Sequence, residues 1–183
     1  MRHALISTLV GAVTAAVPMS GIAISVEPLP AYVAARYRDA LTAWFAAHLD
    51  YRVAVDADCA CADKLKHVRA GDEYPWPREP GYHPYYIVAD FRGDGAEDVA
   101  VGVISKLDPH EFRVLIVHGA VSGRPASQDF LSEGFPIVGW GLHYGPPRPK
   151  PWRLTVGPNV NVGISFEPSS SGYKLIAPEV IMD

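Results

Sequence analysis

Apolar residues recur at steps of three and four between residues 31 and 49. Val33, Tyr37, Leu41, Trp44 and His48 fall on one side of a helix, with Arg36, Arg38 and Asp39 outside it. Pro30 just ahead suits a first helical turn, where the missing N–H would have no partner in any case. The pattern therefore predicts an amphipathic helix whose broad apolar face must be covered, with His48 a structural histidine near its end. Asp58 is a suitable N-cap for a second helix running to Ala70 and stopped at Gly71, with Cys61, Leu65 and Val68 on one face.

The period then changes from 3.6 to 2. Residues 85–91, 98–104 and 112–118 are rich in β-branched and aromatic side chains and apolar on both faces, as strands at the centre of a sheet are. A strand is predicted over 135–144, where Gly139 and Gly141 mark a bulge or a close backbone approach. Further strands are predicted at 51–55, 152–156, 160–166 and 173–176. In 160–166 Val160, Val162, Ile164 and Phe166 alternate with Asn161, Gly163 and Ser165, the pattern of a sheet with one wet face. The expected fold class is α+β, with N-terminal helices packed on an antiparallel sheet of about six or seven strands.

The first residues change the picture of where the chain works. Arg2 and His3 precede an apolar run over 4–17, and Gly21 and Ala23 sit at the small-residue positions of a cleavage site. Residues 1–23 are read as a signal peptide and 24–183 as a single domain, which implies a periplasmic or secreted protein with no membrane contact once the leader is removed. At 183 residues and 49% hydrophobic content the chain supports one core and is short for two. A formal charge of −4 with no basic stripe gives no electrostatic case for nucleic acid.

The most distinctive stretch is the acidic loop between the first two core strands. Counting Asp90 as position 1, carboxylates fall at positions 1, 5 and 9 (Asp90, Asp94, Asp98), and Gly95 makes a turn that frees the Ala96 carbonyl. Calcium takes six to eight oxygens in irregular geometry, so Asp90, Asp94, Ala96 and Asp98 form a candidate calcium site. Arg92 stands where a carboxylate or amide is usual, and Val101 stands where an EF-hand has its glutamate, which excludes an EF-hand. Two readings of Arg92 remain: its guanidinium lies among the carboxylates as a built-in cation, or it faces solvent and leaves a weakened metal site.

Residues 85–104 resemble the FG-GAP/VCBS-like loop, Asp-x-Asn-x-Asp-Gly-x-x-Asp followed by an apolar strand, known from β-propellers and exported bacterial proteins. The resemblance implies calcium bound through Asp90, Asp94 and Asp98. A propeller needs several such blades, and one copy without an internal period carries over the loop alone. The order of leader, helix, short Cys segment and acidic loop is also similar to small exported bacterial proteins of unassigned activity.

Cys59 and Cys61 share the segment at the start of the second helix. Cys59 is expected at the helix start, where a thiol pKa falls, and Cys61 partly buried. A disulfide between them, free thiols, or a redox or metal role with His67 are the alternatives; a bridge over one residue is strained and easily reduced. Residues 72–84, with four prolines, Trp76 and Tyr82, read as a rigid loop over a sheet edge, and 145–151 as a stiff polyproline-type connector. No nucleophile-elbow or zinc-protease motif occurs. The leading expectation is a non-enzymatic binding or structural module whose partner is a protein or glycan of the cell envelope. One alternative is a hydrolase gathering His83, His143 and loop acids. The other is an inhibitor of an envelope enzyme that inserts the 145–151 loop.

Overall fold

The computed structural model describes residues 27–72, 79–119, 129–145, 153–159, 162–170 and 172–177. The expected signal peptide and most of the 145–151 connector lie outside the described residues. In chain order the elements are α1 (Ala35–Ala47), β1 (Tyr51–Val53), a 3-10 turn (Asp56–Cys59), α2 (Ala62–Ala70), β2 (Tyr86–Ala89), β3 (Asp98–Ser105), β4 (Glu111–Val117), β5 (Phe130–Pro136), β6 (Gly141–Tyr144), β7 (Leu154–Asn159), β8 (Val162–Ser169) and β9 (Gly172–Ile176).

The strands form two antiparallel sheets. The first runs β1-β3-β4-β5, with β2 also paired to β3; the second runs β6-β7-β8-β9. This corrects the α+β expectation of N-terminal helices packed on one sheet of six or seven strands. The described residues hold two α-helices against nine strands, and the protein is mostly β. Strands that are apolar on both faces require two covers, but periodicity does not say whether a cover is a helix or a second sheet. Here the larger core lies between the sheets. It gathers Ala100, Ile104, Phe112 and Ile116 of the first sheet with Leu142, Val156 and Phe166 of the second. The odd-numbered valines of β3, Val99, Val101 and Val103, turn the other way and share a cluster with Leu115, Val117 and Tyr37, Leu41, Trp44 and Phe45 of α1.

The chain passes from one sheet to the other at Gly139. The single strand expected over 135–144 is in fact β5 and β6, members of different sheets, separated by a turn in which Gly139 has φ +73. Ser165, expected on a wet face, is buried and lies 3.4 Å from Thr155 Oγ1 on the neighbouring strand. Gly102 of β3 admits a close approach: a Cβ there would meet the Tyr85 side chain at 2.9 Å.

The second helix begins later than expected. Asp58 accepts the Val55 N–H at 2.8 Å and pairs with Arg52, so it organises the 3-10 turn rather than capping α2. Gly71 ends α2 with φ +77, the left-handed conformation that a glycine stop adopts. His48 Nδ1 lies 2.8 Å from the Trp44 carbonyl and its ring stacks on Trp44, which accounts for it structurally. None of the described helices is long and apolar enough to cross a membrane.

Candidate functional site

The acidic loop is closed by its own backbone. Asp90 Oδ1 accepts the N–H groups of Gly93 at 2.7 Å and Asp94 at 3.1 Å, Asp90 Oδ2 accepts that of Gly95 at 2.8 Å, and Asp94 Oδ1 accepts that of Ala96 at 3.1 Å. Gly93 and Gly95 take positive φ to aim those groups. Arg92 turns inward: its Nη2 lies 3.3 Å from Asp94 Oδ2, 3.0 Å from Asp98 Oδ1 and 3.3 Å from the Gly119 carbonyl. Asp98 is fully buried; it also accepts the Gly119 N–H at 2.9 Å, and His118 Nδ1 approaches it at 3.3 Å. The loop is thereby tied to the end of β4.

In this arrangement the carboxylates close on the loop's own N–H groups and on Arg92. Both oxygens of Asp90 are occupied by N–H groups, and Asp94 and Asp98 face a guanidinium instead of a common centre. Among the described residues no group of three His, Cys, Asp or Glu side chains is arranged to hold a metal. The first reading of Arg92, a cation built into the loop, is the one this geometry matches.

Burial by itself would raise the Asp98 carboxyl, but His118, the Gly119 N–H and the Arg92 charge together outweigh it and hold the group below the ordinary aspartate range. A carboxyl with a folded-state pKa below its unfolded value contributes stability above the unfolded pKa and loses it as pH falls through the folded one. The thermal midpoint is therefore expected to hold down to about pH 5 and to fall below about pH 4. In Asp98→Asn that acid slope becomes shallower; an unchanged slope would assign the acid sensitivity to other groups.

A second cluster forms where the two sheets meet at β2 and β6. The Leu142 N–H donates to the Pro84 carbonyl at 2.6 Å and the Tyr144 hydroxyl to the Asp90 carbonyl at 3.1 Å. Alongside these contacts opens a cleft of about 250 Å³ lined by Glu79, Tyr82, His83, Tyr86, His143 and Tyr144, among others. His83 is held from two sides. Its Nδ1 lies 3.0 and 3.2 Å from the two Asp56 oxygens, and Tyr32 stacks on its ring at 3.7 Å. Arg69 pairs with Asp56 and donates to the Tyr82 carbonyl, fixing the carboxylate in turn. An Nδ1–H donated to Asp56 leaves the lone pair of the neutral ring on Nε2.

The electrostatics of this cluster are negative. Burial, then Asp56 and Asp58, push the Tyr32 hydroxyl up to about 12. Burial and then Glu79 raise Tyr82, and burial raises the carboxyl of Glu79, which has no ion-pair partner among the described residues. His143 is 4% exposed, with Nε2 3.2 Å from the Gly157 carbonyl and Nδ1 3.2 Å from the Tyr82 hydroxyl. A carbonyl only accepts, so Nε2 carries the proton and Nδ1 accepts from Tyr82. Both histidines of the hydrolase expectation thus reach one cleft, but the loop acids do not join them. Asp56, which pairs with His83, and Glu79, which lines the cleft, take their place. Neither was singled out from sequence, because Asp56 precedes His83 by 27 positions and no local pattern links them.

Cys59 and Cys61 are joined by a disulfide. Cys61 is partly buried, as expected, but it rather than Cys59 is the N-cap residue of α2; Cys59, in the 3-10 turn, is 1% exposed. Ala60 between them adopts φ +50, ψ +32. Loop-closure entropy for a three-residue loop amounts to about 1.6 kcal/mol, against about 3 for a 15-residue loop. An alanine in the left-handed region costs about 1–2 kcal/mol, so the bridge adds little net stability as a staple.

No protein-family model, curated protein or solved structure matches this chain.

Proposed function

We propose that this chain is an exported, non-enzymatic binding module whose ligand site is the cleft at the junction of the two sheets. The observation that carries the reading is the lining of that cleft, in which a half-buried Glu79 carboxyl, without an ion-pair partner among the described residues, sits with His83, Tyr86 and Tyr144. Tyrosines supply broad amphipathic contact with only two rotatable torsions, and a carboxylate and an imidazole supply direction. At about 250 Å³ the cleft suits one sugar ring or one side chain, which agrees with a glycan or protein partner of the cell envelope.

The test is the thermal midpoint of the mature domain against a panel of soluble envelope glycan fragments and peptides. A ligand at ten times its dissociation constant adds about 1.4 kcal/mol, a shift of a few degrees in a domain of this size. Glu79→Gln is expected to abolish the shift while leaving the unliganded stability within about 1 kcal/mol of the parent. Tyr144→Ala abolishes the shift and also lowers the midpoint, because its hydroxyl ties β6 to the Asp90 carbonyl and its ring packs on Phe91. A shift that survives both substitutions would move the site elsewhere.

A second reading, a hydrolase, is favoured by one specific observation, the Asp56–His83 pair. Nε2 of His83 would act as general base, oriented by Asp56, and Glu79, its pKa raised by burial, as acid. Turnover of chromogenic ester or glycoside substrates that is lost in His83→Asn would establish it; an inactive parent would leave the binding module standing.

A further inference from the structure

We propose that the Cys59–Cys61 bond is a thiol–disulfide exchange site that oxidises cysteine pairs in flexible polypeptide segments. It does not rest on the binding reading of the cleft between the sheets, although Asp56 borders both regions. The two cysteines are unequal in access. Cys59 is 1% exposed, with its sulfur 3.9 Å from the Trp140 carbonyl, whereas Cys61 lines an open cleft of about 420 Å³ together with Ala57, Ala60, Asp63 and Lys64. An attacking thiolate is thereby directed to one sulfur, with the other as leaving group.

The placement of the bond suits exchange better than stapling. It spans a single residue, and that residue, Ala60, is held in a backbone conformation that L-residues avoid. Opening the bridge frees Ala60 to relax, and strained, accessible bridges are the labile ones. Cys61 also heads α2, a nine-residue helix, so a thiolate formed there meets the unpaired N–H groups of the first turn. The cleft beside Cys61 is open, lined by Ala57, Ala60 and Ala62 and by the charged residues Asp56, Asp63 and Lys64. It admits a cysteine on an extended segment.

The chemistry balances without a further component. A substrate thiolate attacks Sγ of Cys61; the S–S bond breaks, and its electron pair goes to Cys59 Sγ, which takes up a proton. The second substrate thiol, as thiolate, then attacks the substrate sulfur of the mixed disulfide. Cys61 leaves as thiolate and is protonated. The substrate dithiol has lost two electrons and two protons, and Cys59 and Cys61 have gained them. A low-molecular-weight disulfide such as oxidised glutathione restores the bond by the reverse exchange.

The experiment mixes the unreduced full chain, without oxygen, with a flexible peptide carrying a Cys-x-x-Cys dithiol. One peptide disulfide is expected per Cys59–Cys61 bond lost, formed at least about tenfold faster than with the same concentration of oxidised glutathione. Alkylation during the reaction followed by mass mapping is expected to find the mixed disulfide on Cys61. A rate no faster than that of glutathione overturns the proposal, as does an adduct mapped to Cys59. In Cys59→Ser, checked for folding by circular dichroism, Cys61 is expected to capture a single-cysteine peptide supplied as its disulfide dimer, since the adduct then carries no second peptide thiol to resolve it; a folded variant that captures none also overturns it.

Discussion

Arg92→Ala is expected to lower the stability of the domain by about 3 kcal/mol, and to do so in the absence of any metal. The guanidinium bridges Asp94 and fully buried Asp98 and reaches the Gly119 carbonyl. Removing one partner of a buried ion pair typically costs 3–5 kcal/mol, because the charge left behind has lost its compensation. The Arg92 side chain is 22% exposed, so water recovers part of that penalty and the lower end applies. In a domain of this size the loss appears as a drop of about 6–12 °C in the thermal midpoint. Lysine at 92 keeps the charge but loses the fork that engages two carboxylates at once, and is expected to recover less than half.

The same substitution site tests the metal question from the other side. Arg92→Asn restores the acceptor that the FG-GAP type of loop carries at this position. The variant is expected to gain a rise in midpoint with calcium, while the parent shows none beyond a general salt effect. Calcium stabilisation of the parent, or an Arg92→Ala variant within about 0.5 kcal/mol of it, would remove Arg92 from its role as the cation of this loop.

Tyr85→Ala is expected to cost about 4–5 kcal/mol, enough to leave a marginal domain largely unfolded at 37 °C. Tyr85 is 1% exposed, lies against Phe112 with ring centroids 4.9 Å apart, and fills the space opposite Gly102. Its hydroxyl donates at 2.8 Å to the carbonyl of Ile137, in the segment where the chain crosses between sheets. Tyr85→Phe keeps the ring and removes that one donor, with an expected cost of about 1–2 kcal/mol. Urea unfolding of the three proteins separates the two contributions. Equal losses in Ala and Phe variants would place the whole effect in the hydrogen bond and none in the packing.

The parts of this protein that were legible in its sequence are those whose cause is local. The steps of three and four from Tyr37 to Trp44 report a buried helical face, and the run from Asp98 to Ile104 reports a strand buried on both sides. Gly71 stops α2 because only glycine takes that backbone conformation without cost. The acidic loop was visible for the same reason: Asp90, Gly93, Asp94 and Gly95 close it through contacts no more than five residues apart. The sequence already allowed an inward Arg92, but its decisive partner there, the Gly119 carbonyl, is 27 residues away.

What the tertiary structure alone decided is which element covers which face, and which distant side chains meet. Hydrophobic periodicity records that a face is buried and is silent about the neighbour that buries it. The second sheet was therefore merged with the first, although Gly139 and Gly141 marked the crossing. Cys59 is buried and Cys61 takes the place expected of it at the head of α2 because Asp58 pairs with Arg52 and forms a separate turn ahead of the helix. The cleft depends on β2 and β6 being brought side by side, and the Asp56–His83 pair on the path of the chain through α2. By itself the sequence determined the helices, most of the strands and the self-closed acidic loop, since neighbours in the chain suffice for these. The two-sheet core and the cleft arise only when segments far apart in sequence pack, and no local pattern encodes that contact.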